Sequence, residues 1–195
     1  MFIELTEFLR CPADHPDAHC VLIPEQMAGR SVVRGVVGCP QCRRQYSVSD
    51  GVARFGLPPG VATASDPPPA DAVAALLGLT GAGGYVVLVG SAVRLAGELA
   101  RLIDGVHFVG VNGAPEGREA PALSLLEAEA TLPLRAAMAR GVVLGSEYVK
   151  QPWTDEAVRV LLRGLRLVVL VEAAEIEGVE QLAAGQGMWV GAKGR

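Results

Sequence analysis

Tyr85-Val86-Val87-Leu88-Val89-Gly90 decides the architecture of the larger part of this chain. Five apolar residues without alternation read as a strand buried on both faces, closed by the glycine. Helical spacing follows at once. Leu95, Leu99, Leu102 and Ile103 share one face, while Arg94, Glu98 and Arg101 share another.

Phe108-Val109-Gly110-Val111 predicts a second strand that ends at Asn112 and Gly113. Ala122 to Leu125 predicts a third, and Gly141 to Leu144 a fourth. Thr154 reads as the cap of a helix with Asp155 and Glu156 in its first turn. Its apolar stripe is Val158, Leu161, Leu162 and Leu165, with Gly164 near the end. Arg166 to Val171 predicts a fifth strand, and Met188 to Ala192 a last one, antiparallel at or near the sheet edge. Alternating strands and helices with such apolar strands predict a doubly wound, Rossmann-like α/β sheet.

Composition bounds the rest. Of 195 residues, 50% are hydrophobic and 19% charged, which excludes a disordered tail, a coiled coil and a collagen-like chain. No apolar run reaches the ~18 residues of a membrane helix. Leu161 to Ala174 comes nearest, and Arg163, Arg166 and Glu172 interrupt it. The net charge is −4 and there is no polybasic block, so a nucleic-acid partner is not expected. Arg30, Arg34, Arg43 and Arg44 form at most a small basic patch, in a segment whose charges balance. Glu172, Glu175, Glu177 and Glu180 read as a solvated acidic face.

Residues 57–71 are rich in proline and lack an apolar period, as expected of a linker. The expected division is residues 1–56, the linker 57–71, and an α/β domain over 72–195. All four cysteines lie before that linker, at Cys11, Cys20, Cys39 and Cys42, with His15 and His19 among them. The first seven residues carry acids where a signal peptide carries basic residues, so a cytoplasmic location is expected. In that compartment clustered Cys and His more often bind metal than form disulfides.

Cys39-Pro40-Gln41-Cys42 is a two-thiolate knuckle suited to tetrahedral Zn2+, and Cys11-Pro12 opens a similar turn. For the fourth ligand His15 and Cys20 compete. His15 gives the local spacing Cys-x3-His, whereas Cys20 needs a loop of eight residues but completes an all-thiolate site. A redox dithiol would usually follow a strand and open a helix; here Gly38 precedes the knuckle and a strand-like Arg43 to Val48 leaves it. A zinc ion with four protein ligands has no open position, so it would staple the fold and catalyse nothing.

Three pieces of the first segment, Phe2-Ile3-Glu4-Leu5 to Leu9-Arg10-Cys11-Pro12, Gly38 to Cys42, and Tyr46-Ser47-Val48-Ser49-Asp50-Gly51-Val52, are similar to a known family. They resemble the small zinc ribbons that activate tRNA, rRNA and release-factor methyltransferases. The resemblance departs at the first knuckle, where the family's Cys-Pro-x-Cys becomes Cys11-Pro12-Ala13-Asp14-His15. The second segment resembles a class I S-adenosylmethionine-dependent methyltransferase in its order of elements. That resemblance implies a cofactor loop after the first strand, reading acid-x-Gly-x-Gly-x-Gly, and an acid ending the second strand. On those positions stand Leu88, Gly90, Ala92 and Arg94, and then Asn112. Gly90 and Asn112 are the cofactor-binding candidates if any S-adenosylmethionine binding is retained.

After Val171 only 24 residues remain, which reads as too few for a full helix and two terminal strands. Glu147, Tyr148 and Trp153 are candidates for lining a pocket, with Trp153 more simply packed against the helix; His107 reads as a loop or core histidine. The expected function is a non-catalytic zinc-binding scaffold or partner subunit, a pseudoenzyme without catalytic residues. Its expected partner is a protein, for instance a methyltransferase or a larger complex, and a homo-oligomer stays open. The ribbon docks either on a separate partner or on its own α/β domain. The alternative is an active methyltransferase with an aberrant cofactor loop.

Overall fold

The protein is described by a computed structural model at residues 1–60, 66–115 and 122–194; part of the expected linker, 61–65, lies outside the described residues. The first segment opens with a 3-10 turn at Ile3–Phe8. Four strands follow: β1 (Val21–Ala28), β2 (Ser31–Gly38), β3 (Gln45–Ser49) and β4 (Val52–Arg54), paired antiparallel in chain order. The second segment runs α1 (Ala70–Leu77), β5 (Tyr85–Val89), a 3-10 turn at Gly90–Leu95, α2 (Ala96–Leu102), β6 (His107–Val111) and β7 (Leu123–Glu127). It continues with β8 (Ala139–Leu144), α3 (Trp153–Val160), β9 (Leu161–Val169), β10 (Val179–Gly185) and β11 (Met188–Lys193).

Among the described residues, eleven strands form one sheet in the order β1-β2-β3-β4-β7-β6-β5-β8-β9-β11-β10. From β4 to β9 the neighbours are parallel. The order reverses at β5, with β6 on one side and β8 on the other. Such a switch point in a doubly wound sheet is where ligands bind, beyond the carboxyl ends of the strands.

The unalternating pattern of β5 has its physical reason in two cores. Tyr85, Val87 and Val89 pack on the face of α3, with Trp153, Ala157 and Val160. Val86 and Leu88 pack on the opposite face, with Val73 and Leu77 of α1 and Leu99 of α2. Helix α1 ends at Gly78, whose left-handed φ of 59° and N–H to the Ala74 carbonyl close its last turn. Arg166 donates to the Leu76 carbonyl at 2.9 Å and satisfies another carbonyl of that end.

The two segments share this sheet. Strand β4 pairs in parallel with β7 through Val52–Leu125, Ala53–Leu126 and Arg54–Glu127. The Phe55 N–H donates to the Glu127 carbonyl at 2.8 Å, and Arg54 Nε lies 3.1 Å from Glu127 Oε2. A second contact joins the opening turn to the approach of β8. There the Arg10 N–H donates to the Pro133 carbonyl at 3.1 Å, and the Arg135 N–H to the Phe8 carbonyl at 2.8 Å. One buried cluster extends from Leu5, Leu9 and Cys39 to Leu134, Tyr148 and Trp189.

Two sequence expectations are corrected. The helix from Thr154 stops at Val160, and Leu161 and Leu162 belong to β9. Pairing with β8 overrides the helical spacing. Ala139 faces Leu161 and Gly141 faces Arg166, so residues 162–165 bulge around Gly164 at φ 74°. Thr154 lies inside the helix and makes no cap; Pro152 holds the cap position. The second correction concerns the end of the chain. Both terminal strands are present, joined at Gly185-Gln186-Gly187, and β11 lies inside the sheet while β10 forms the edge. The 24 residues suffice because the link from β9 to β10 contains no helix.

Candidate metal centre and cofactor crevice

Cys11 and His15 lie on the loop after the opening turn, and Cys39 and Cys42 on the turn between β2 and β3. That turn closes on itself: the Cys39 N–H donates to the Arg44 carbonyl and the Arg43 N–H to the Cys39 carbonyl, both at 2.9 Å, with Arg43 at φ 60°. The ligand atoms of Cys11, His15, Cys39 and Cys42 all lie within 4.8 Å of one another.

The spacing suits a tetrahedral ion. With metal–sulfur and metal–nitrogen bonds of about 2.3 and 2.0–2.1 Å, tetrahedral edges are about 3.8 Å between sulfurs and about 3.6 Å between sulfur and nitrogen. Cys11 Sγ lies 3.7 Å from Cys42 Sγ, and Cys39 Sγ lies 3.4 Å from His15 Nε2. His15 Nδ1 lies 2.7 Å from the Pro16 carbonyl. A carbonyl only accepts, so Nδ1 carries the proton and Nε2 presents its lone pair to the thiols. The Tyr46 hydroxyl, 3.1 Å from Cys11 Sγ, closes the inner side. Sequence spacing could not show that contact.

Cys42 is drawn down to about 7, first by the Arg44 backbone N–H, which favours its thiolate. Cys20 lies outside the group of four, buried in the core. Burial, and then the neighbouring cysteine charges, push its thiol up to about 12.

At the switch point the cofactor-binding candidates meet side chains of their own chain. Gly90 has a left-handed φ of 66°, and a Cβ there would collide with Glu147 and the Tyr148 ring. Glu147 Oε1 accepts the Ser91 N–H at 2.5 Å, and Oε2 accepts the Ser91 hydroxyl at 2.9 Å. The Asn112 amide donates to the Ala128 carbonyl and accepts the Ala128 N–H, both at 2.8 Å. Tyr148 is 1% exposed, and its ring meets Trp153 edge-on at 4.7 Å. Burial raises the Tyr148 phenol against an opposing hydrogen bond with Asn112. Leu88 and Ala92 are fully buried, and Arg94 lies 3.0 Å from Asp66. Beside this plug, a cavity of about 390 Å3 is bordered by Ser91, Ser146, Gln186 and the prolines at 67–69.

His107 opens β6. It stacks on Phe2 at 4.7 Å, and its Nε2 lies 3.0 Å from the buried Ser124 hydroxyl, which accepts the Phe2 N–H at 2.8 Å. Burial draws its pKa down to about 4. It is a seam residue, neutral near pH 7. Among the described residues no helix is long and apolar enough to cross a membrane.

No protein-family model matches the chain, and no curated protein matches it. Solved structures similar to it include methyltransferases. A chain of the complex between the Haloferax volcanii Trm112 methyltransferase activator and a methyltransferase candidate is 16% identical, with a TM-score of 0.49 over 65% of this chain and 89% of that one. The antibiotic-resistance methyltransferase Kmr is 15% identical, with a TM-score of 0.46 over 71% of this chain and 97% of that one. The geranyl diphosphate C-methyltransferase of Streptomyces coelicolor A3(2) is 17% identical, with a TM-score of 0.42 over 51% of this chain and 43% of that one. The α/β fold stands on its own strand order: a doubly wound sheet extended at one edge by a strand meander that bears a Cys/His cluster.

Proposed function

We propose that the chain is a non-catalytic scaffold, in which a zinc-stapled ribbon is built onto a methyltransferase-like domain that no longer accepts its cofactor. The carrying observation is the filled switch point. The Glu147 carboxylate takes the Ser91 N–H that an anionic ligand group would take, and Tyr148 covers Gly90. Both hydrogen-bonding ends of the Asn112 amide are committed to Ala128. A ligand must break these contacts before it makes its own.

In this reading Cys11, His15, Cys39 and Cys42 hold Zn2+, which supplies stability to a segment of about 56 residues whose core is marginal alone. Cys20 is a core residue. The ribbon's β4 occupies the edge of β7, so the docking contact is internal. Strands β1 and β10 remain as edges. Val21 and Ile23 of β1 are 56% and 61% exposed, which suits a protein partner.

The cavity beside the plug favours one second reading, an active methyltransferase whose cofactor enters after Glu147 and Tyr148 withdraw. Titration calorimetry of the zinc-loaded protein with S-adenosylmethionine separates the two. Heat of dilution alone is expected for the scaffold, and micromolar binding overturns it.

A further inference from the structure

Strands β9 and β10 run parallel with β11 between them, and residues 170–178 join them without a helix. A helix usually makes such a crossover and covers the sheet face beneath it. Here that face holds a cavity of about 880 Å3 between the link, residues 149–151 and the first turn of α3. Its size is within the range of ligand pockets.

Trp189 forms part of the cavity wall and is 2% exposed. Its ring lies against Gly191, where a Cβ would come within 2.5 Å of it. The indole N–H is buried and meets no acceptor among the described residues. Buried donors in native proteins are nearly always satisfied. Ile176 and Val179 continue the apolar lining. Asp155, Glu175 and Glu177 line the rim against a single cation, Lys150. None of the three acids forms an ion pair among the described residues; the Gln151 amide lies 3.5 Å from Asp155 Oδ1.

An occupant that answers all three features is cationic, has an apolar body and carries a carbonyl acceptor. A lysine or arginine side chain on a peptide backbone has these parts. We propose that this cavity binds a basic peptide segment of a protein partner. The inference gives that partner its chemistry and rests on the scaffold reading for the occupant being a protein.

The test follows the indole N–H resonances of the 15N-labelled, zinc-loaded full chain, with Trp189→Phe assigning the Trp189 signal. The probe is an acetylated and amidated pentapeptide alternating lysine and leucine. It is expected to shift the Trp189 signal saturably below about 1 mM. The triple variant Asp155→Asn, Glu175→Gln, Glu177→Gln is expected to bind at least tenfold more weakly, and the glutamate counterpart of the peptide not at all. On the unaltered chain, binding is expected to weaken as salt rises. No saturable shift, salt-independent binding, unchanged binding by the triple variant, or equal binding of free spermidine each overturns the proposal. Loss of peptide binding without S-adenosylmethionine binding removes this site alone. Binding of both removes the scaffold reading and leaves the site standing.

Discussion

Glu147 grips Ser91 with both carboxylate oxygens, one on the backbone N–H at 2.5 Å and one on the hydroxyl at 2.9 Å. The contact joins the carboxyl ends of β8 and β5 across the switch point of the sheet. Ser91→Ala removes the hydroxyl bond and leaves the carboxylate half answered. The expected loss is about 1.5–3 kcal/mol, as for hydrogen bonds to charged groups. For a chain of this length each kcal/mol lowers the Tm by roughly 2–4 °C. An unchanged Tm by calorimetry would show that the contact contributes nothing.

The cluster of four predicts one zinc per chain. Elemental analysis should find it lost in Cys39→Ser and Cys42→Ser and retained in Cys20→Ser, whose thiol lies outside the group. Chelation should expose the amides of β1 to β4 to hydrogen exchange. Because the ribbon core is continuous with the α3 face, exchange should also rise around Leu134. Full zinc content in both knuckle variants would sink the ligand assignment.

His107 gives the seam a pH dependence. Its pKa is about 4 folded against 6.5 as the unperturbed value, so between these the unfolded chain binds more protons. Its contribution is therefore complete above pH 6.5 and lost as pH falls toward 4. His107→Phe keeps a ring against Phe2 and removes the titration. Denaturant curves of both proteins should converge as the pH is lowered through that window, and parallel curves would contradict the role.

Gly56 marks how closely the segments approach. A Cβ there would meet Glu129 Cβ at 2.9 Å, beside the β4–β7 pairing. Gly56→Val should cost about 1–3 kcal/mol through overpacking. Because the segments share a sheet and a core, the wild type should unfold in a single calorimetric transition, and the variant should shift it whole. Two separated transitions would show that the ribbon is held independently.

The sequence made β5, β6 and β8 legible, because strands buried on both faces must be continuously apolar. It also made Cys11, Cys39 and Cys42 legible as a candidate cluster and left His15 and Cys20 in competition beside them, because only the fold decides which of the two comes within reach of the knuckle. It misread Leu161 to Leu165, where helical spacing and a bulged strand share the same residues and only pairing with β8 decides. It missed β10, whose Val179 to Gly185 is largely solvent-exposed and so carries no burial pattern. The glycines missing from the cofactor loop were visible at Ala92 and Arg94. What fills the crevice in their place was not, because Glu147 and Tyr148 lie 57 positions or more beyond Gly90 in the chain.

Glu147 and Tyr148 fill the crevice that a cofactor would enter at the switch point. Calorimetric titration with S-adenosylmethionine, run on the wild type and on Glu147→Ala/Tyr148→Ala with intact zinc content, tests it most directly. No binding heat is expected for the wild type. Micromolar, one-to-one binding by the wild type would contradict it.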